Sequence, residues 1–141
     1  MAFTIAYMPE SSCPCGRSDD RARRPLAFSA CCGPYLASFD TQPAPDAETL
    51  MRSRYTAFVR GNAGYLLATW HASYRPASIE FEAGVKWLGL EVRDVQGRDN
   101  QAEIEFVARQ KCPGRAATRL HERSRFVREE GRWFYLNGDV R

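Results

Sequence analysis

Four cysteines carry the most legible chemistry in this chain. Cys13-Pro14-Cys15-Gly16 is followed by Cys31-Cys32-Gly33, with fifteen residues between Cys15 and Cys31. Two short pairs joined by a loop can bring four thiolate sulfurs to one point, the donor set of a tetrahedral zinc ion. Cys13, Cys15, Cys31 and Cys32 are therefore the candidate metal ligands, and zinc is the expected cofactor. Gly16 and Gly33 follow the pairs, where a backbone without Cβ wraps a metal most easily. Disulfides are the competing chemistry, but the five cysteines are odd in number and adjacent cysteines bridge each other only with strain. The opening Met1–Tyr7 also lacks the basic and long apolar regions of a secretory signal. In a reducing compartment, clustered cysteines point to metal, with reduced or redox-active thiols as the alternative. Four sulfurs leave no open coordination position, so the expected site is structural rather than catalytic. Cys112, ahead of Pro113-Gly114, reads as an isolated thiol.

Proton-transfer chemistry has two candidates, Glu122 and His71. Alternation along Leu120–Phe126 puts Glu122 and Ser124 on the face of Leu120 and Phe126, with His121, Arg123 and Arg125 opposite. A carboxylate among aromatic rings suits general acid or base work. Tyr55, Trp70, Trp87, Trp133 and Tyr135 are expected to complete a pocket around Glu122, with the Tyr55 hydroxyl bonded to its carboxylate. The plainer roles are an Arg54–Glu122 structural bridge and a capping or packing His71 at a helix end. Arg17, Arg21, Arg23 and Arg24 offer a grip for phosphate, yet Asp19 and Asp20 dilute the patch, which reads as a solvated loop. Nucleotide-binding glycine patterns, nucleophile elbows and paired-histidine metal motifs do not occur.

The elements that must position these residues follow from periodicity. At 141 residues, with 44% hydrophobic content, the chain has enough apolar material for one ordinary core. No apolar run approaches the length of a membrane span, so a soluble, cytoplasmic protein with no membrane partner is expected. The net charge of +3 is too small to argue for nucleic acid. Residues 1–12 read as a poorly ordered lead-in or as a short strand over Phe3–Tyr7. Ala27–Ala30 reads as one helical turn, and Asp40–Pro45 as a proline-bearing linker. Asp46 is placed to cap a helix that Gly61 stops, and a second helix is predicted over Ala63–Ala72. Period-two patterns then predict strands over Lys86–Val95 and Ala102–Arg109, with two more around Leu120–Phe126 and Trp133–Tyr135. Trp87 and Glu91 are expected to share a face of the first strand, and Trp133 and Tyr135 a face of the last. Short turns at Gly97–Asn100 and Glu129–Arg132 make the strands antiparallel. Helices followed by such a sheet give an α+β fold.

Several motifs together resemble a known family. Cys13-Pro-Cys-Gly…Cys31-Cys-Gly-Pro-Tyr is similar to the SEC-C zinc knuckle, although its loop is longer than usual and Phe28 stands where that motif has tyrosine. Leu50-Met-Arg-Ser-Arg-Tyr-Thr-Ala-Phe, Ala68-Thr-Trp-His, Trp87-Leu-Gly-Leu, Leu120-His-Glu-Arg-Ser-Arg-Phe and Gly131-Arg-Trp-Phe-Tyr resemble the bacterial YchJ-like proteins. The resemblance implies a knuckle over residues 1–40 and, over residues 41–141, a nuclear transport factor two-like (cystatin-like) cone of helices against a curved antiparallel sheet. It implies a zinc site but no activity. The expected function is a non-enzymatic binding module: the knuckle presents a protein-interaction surface, and the cone holds a small ligand or, as a homodimer, a second protomer. The competing readings are a small-molecule isomerase, dehydratase or hydrolase using Glu122 or His71, and nucleic-acid binding through the arginine loop. A cone filled by Trp70, Trp87, Phe126 and Trp133 would leave no room for substrate, whereas a cavity of about 300 Å³ or more holding Glu122 would favour an enzyme.

Overall fold

The computed structural model describes residues 11–21 and 23–141, so the strand expected over Phe3–Tyr7 lies outside the described residues. The cysteine segment begins as a narrow antiparallel ribbon. Bridges at Ser12↔Ala27 and Ser18↔Pro25 align it, and Cys13 N donates to Leu26 O at 2.8 Å. The described residues of Arg17–Arg24 form the hydrogen-bonded tip of this ribbon, exposed from residue 18 onward as a solvated loop would be. Arg17 itself turns inward, its guanidinium donating to Thr49 Oγ1 at 2.9 Å and to Glu48 at 3.2 Å. The predicted helical turn is a 3₁₀ turn over Phe28–Ala30, which delivers Cys31 and Cys32 to α1 (Gly33–Ala37).

Asp46 caps α2 (Ala47–Arg60): its Oδ1 accepts from Thr49 N at 2.7 Å, and Gly61 ends the helix in the left-handed conformation, φ 68°. The next helix, α3 (Ala63–Ala68), is shorter than its predicted Ala63–Ala72. The cause is competition for backbone groups. Thr69 O accepts from Tyr135 N at 2.9 Å, and His71 N donates to Tyr135 O at 2.8 Å. Trp70 is thereby drawn out of the helix and laid parallel to the last strand.

Four strands follow, β1 (Lys86–Arg98), β2 (Gln101–Lys111), β3 (Thr118–Glu129) and β4 (Arg132–Val140). They form one antiparallel sheet in sequence order, so the fold is α+β, as predicted. Glu130 and Gly131 both take positive φ, 51° and 76°, giving the β3–β4 turn the twist that suits a two-residue hairpin. Irregularities in register lie between Trp87 and Gly89, between Val92 and Asp94, and opposite the Arg125/Phe126 step. The first changes the predicted facing of β1. The extra residue, Leu88, is 54% exposed, while Trp87 and Leu90 both pack on the core. Glu91 is therefore not on the face of Trp87; it turns outward and pairs with Arg93.

Helix α2 lies across the concave side of the sheet. Leu50 and Met51 join Ile104 and Phe126 in one buried cluster. Tyr55 and Ala108 join the four cysteines in another. The convex side is ionic: Arg123 bridges Asp94, and Arg125 bridges Asp139 at 2.8 Å.

Candidate metal centre and cone cavity

The four cysteine Sγ atoms lie within 4.8 Å of one another. Cys15 and Cys31 are 3.5 Å apart, and Cys31 and Cys32 are 3.9 Å apart. A tetrahedron with metal–sulfur bonds of about 2.3 Å has edges of about 3.8 Å, so the donor set fits a four-coordinate cation of zinc's size. All four residues are buried and none is in a disulfide. Gly16 takes φ 76°, so the turn after the first pair does need a residue without Cβ. In the absence of a cation, four buried thiols cannot all ionise. Hydrogen bonds from Cys15 and Cys32 pull Cys13 far down, burial pushes Cys31 up to about 12, and the hydrogen bond with Cys13 pushes Cys32 up. A bound cation is what would hold all four as thiolates.

Helix α2 supplies the outer shell of this centre. Thr56 Oγ1, fully buried, lies 3.7 Å from Cys13 Sγ, where a hydroxyl can donate to a thiolate. One turn earlier, Arg52 Nη1 donates to Cys15 O at 2.9 Å. Neither residue stands out in sequence as part of a cysteine site.

Beside the centre, between α2 and the sheet, is a cavity of about 280 Å³. Its walls are largely aromatic. Tyr55 stacks edge-on against Trp87 with ring centroids 5.7 Å apart, and Trp70 meets Tyr135 at 5.2 Å. The polar groups sit on two elements. From β3, Glu122 Oε1 accepts from Tyr135 Oη and from Ser124 Oγ, each at 2.9 Å. From α2, Arg54, 6% exposed, donates from Nη1 to Leu66 O and to Thr69 Oγ1, both at 2.7 Å. Its guanidinium carbon stands 4.6 Å from the Tyr135 ring centroid and 5.2 Å from that of Trp70. Burial lowers Arg54 to about 10, opposed by Tyr135, Tyr65 and Glu122.

Five of the six residues expected around the cavity line it: Tyr55, Trp70, Trp87, Glu122 and Tyr135. Trp133 does not. It sits two pairs further along the β3–β4 hairpin than Phe126, which does line the cavity. His71 is also elsewhere. Its Nε2 meets Glu129 at 2.9 Å and its Nδ1 meets Ser73 Oγ at 2.6 Å, so no His71–Glu122 dyad forms. The partner of Glu122 is Tyr135 rather than Tyr55, whose hydroxyl lies by the Gly89 backbone amide. Arg54 forms no bridge to Glu122 among the described residues.

Trp133 Nε1 is the single sealed side-chain polar atom without a partner among the described residues. An unmade buried donor costs about 1–3 kcal/mol. Trp133→Phe removes that penalty along with some contact area, and is expected to change stability by under about 1 kcal/mol. Trp70→Phe loses a hydrogen bond to Leu136 O at 3.0 Å and is expected to cost more, about 1–2 kcal/mol. Urea unfolding of the two variants makes the comparison; an equal cost would contradict it.

The buried tyrosines set an alkaline limit. Burial pushes Tyr55 and Tyr65 up to about 12 and pushes Tyr135 up as well. The folded chain therefore keeps protons that the unfolded chain releases near pH 10, the ordinary tyrosine value. Their contribution is complete below pH 10 and is lost on rising towards pH 12, at up to about 1.4 kcal/mol per pH unit for each tyrosine. Arg54, lowered by burial, runs the other way over the same range and offsets one of the three. A falling thermal midpoint between pH 10 and 12, with the tyrosinate absorbance of these three buried side chains appearing only on unfolding, is the expected result.

A concave sheet closed by helices, with a four-cysteine centre at its N-terminal side, defines a nuclear transport factor two-like domain carrying a cysteine knuckle. Residues 46–138 match the family model described as YchJ, middle NTF2-like domain. The chain belongs to this YchJ-like family. It is 64% identical over 137 residues to a UPF0225 protein of Polaromonas sp. strain JS666, covering 96% of this chain and 98% of that one. A UPF0225 protein of Methylibium petroleiphilum is 58% identical over 131 residues, covering 91% and 88%. Among solved structures, a SEC-C motif containing protein from Rhodopseudomonas palustris superposes with a TM-score of 0.77 at 29% identity, covering 93% of this chain and 99% of that one. A sec-c motif containing protein from Psychrobacter arcticus gives a TM-score of 0.74, also at 29% identity, covering 93% and 83%.

Proposed function

We propose that this protein is a binding module whose cone holds a small ligand and whose wall is fixed by a structural zinc ion. The observation that carries this reading is the cavity of about 280 Å³, aromatic on most sides and provided with one buried guanidinium and one carboxylate. Apolar pockets with a few convergent polar groups are the usual form of a small-molecule site. Zinc is assigned because a closed four-thiolate set is its common structural site. Reduced thiols suit the cytoplasm, and no helix among the described residues is long and apolar enough to cross a membrane.

Two measurements test this. Protein purified under reducing conditions without added metal should contain about one zinc per chain; a metal-free protein with no affinity for zinc would remove that assignment. Phenol titrated into ¹⁵N-labelled protein should shift the indole signals of Trp70 and Trp87, and Ala108→Leu, which fills the cavity, should abolish the shifts. Shifts unchanged by that substitution would place the probe elsewhere and overturn the reading.

An isomerase, dehydratase or hydrolase is the second reading: the cavity comes close to the size that would favour it and holds Glu122, but His71 is not among its lining residues. A homodimer through the sheet would have to cover the Arg123 and Arg125 ion pairs. Light scattering that finds a monomer at high concentration removes it. Exposed Arg21, Arg23 and Arg24 support a protein-partner surface; the pairing of Arg17 with Glu48 weakens the case for the arginine loop as a polyanion grip.

A further inference from the structure

Two polar side chains of the cavity keep unused hydrogen-bonding atoms. Glu122 Oε1 takes both available protons, from Tyr135 and Ser124, and Oε2 has no hydrogen-bond partner among the described residues. Arg54 bonds to protein through Nη1 alone, leaving Nε and Nη2 without protein acceptors among the described residues. Trp133 Nε1 is the one sealed, unpartnered atom among the described residues, so these three are not walled in by packing; both residues line the cavity. The cavity thus offers free donors on α2 and a free acceptor on β3, between aromatic walls.

Charge narrows the choice of ligand. Arg54 and Glu122 place one positive and one negative group on the wall. A carboxylate ligand would add a second negative charge to a desolvated space, and an ammonium a second positive one. Either addition is costly away from water. A zwitterion would match both groups but would lose the hydration of two charges against apolar walls. A neutral group with an acceptor beside a donor meets both without adding charge.

We propose that the cone binds a small planar ring bearing a cyclic amide, its carbonyl oxygen accepting from Arg54 and its N–H donating to Glu122. This rests on the reading of the cone as a ligand-binding site and names its ligand class. Gly138 is the positioning residue. It faces Ser124 across β3 and β4, and a Cβ there would come within 1.9 Å of Glu122 Oε1 and 2.7 Å of its carboxyl carbon. Only the bare backbone lets the carboxylate lie against β4 beneath Tyr135.

The test uses the full chain and defined probes: 2-pyridone, N-methyl-2-pyridone, benzoate, benzylammonium, L-phenylalanine and toluene. Binding is read from the Trp70 and Trp87 indole signals. We expect 2-pyridone to bind at least about tenfold more tightly than its N-methyl form, since a site built for an N–H rejects the analogue lacking it. That preference should disappear in Glu122→Gln, which keeps the side-chain volume, and in Gly138→Ala, which displaces the carboxylate. The charged probes and L-phenylalanine should bind more weakly than 2-pyridone. Tighter binding of benzoate, benzylammonium or L-phenylalanine would overturn the assignment. So would equal binding of 2-pyridone, its N-methyl form and toluene; in either case the binding-module reading stands. No response of either indole to any probe overturns both.

Discussion

Cys15→Ser is expected to abolish metal binding and to lower the thermal midpoint by roughly 10 °C or more. The side chain is fully buried, 3.5 Å from Cys31 Sγ, and a serine oxygen there is a poor substitute for thiolate. Structural zinc supplies about 10–16 kcal/mol to isolated finger peptides. This chain has a core of its own, so only part of such a term is at stake, and a loss of about 3 kcal/mol or more is expected once a paired buried group is left incomplete. Metal analysis and calorimetry on the same sample check the prediction. Cys112→Ser is the control. That thiol lies apart from the cluster, with Glu82 Oε2 at 3.8 Å, and its loss should leave the metal content unchanged. A Cys15→Ser protein that keeps one metal per chain and its midpoint would contradict the four-sulfur centre.

Phe126→Ala is expected to cost about 3–5 kcal/mol, the usual range for emptying a buried aromatic position. Phe126 is 2% exposed, packs with Leu50, Met51 and Ile104, and meets Tyr135 edge-on at 5.7 Å. It also lines the cavity, and Trp133 packs against the same cluster. The truncation should therefore lower the urea midpoint with the slope nearly unchanged, and should let the phenol probe shift the Trp133 indole as well as those of Trp70 and Trp87. A cost below about 1.5 kcal/mol would mean that the helix collapses onto the sheet and heals the gap.

Where local chemistry decides the outcome, the structure is legible in the sequence. Asp46 and Gly61 mark the ends of α2 because capping depends on a few neighbouring atoms. Glu130-Gly131 marks a hairpin for the same reason. The inward set Leu120, Glu122, Ser124 and Phe126 follows from strict alternation, which β3 keeps. Two kinds of feature are hidden. Bulges are poorly marked in sequence: the extra residue Leu88 reverses the facing of β1 as far as the second irregularity at Val92/Asp94, so alternation alone puts Glu91 on the wrong side, and Gly89 is the one local hint. Contacts between distant segments are the other kind. Nothing near Thr69 announces that its carbonyl will serve β4 instead of a helix, and nothing near Thr56 announces a cysteine partner 43 residues away. Arg54 is intermediate. It falls four residues from both Leu50 and Phe58, on the buried stripe of α2, where an arginine is already a sign of a site.

One helix faces two ways. Along α2, Arg52 and Thr56 hold the cysteine segment, while Met51, Arg54, Tyr55 and Phe58 form a wall of the cone. The two halves therefore cannot be treated as interchangeable parts. A chain cut to begin at residue 41 would uncover Tyr55, Thr56 and Ala108, whose neighbours are the cysteines themselves, and would aggregate rather than yield a free cone. Grafting the knuckle onto another protein would fail for the complementary reason, since its outer shell would stay behind. Thr56 reaches a cysteine side chain and Arg52 a cysteine backbone carbonyl, so a substitution at either position is felt in the knuckle as well as in the cone.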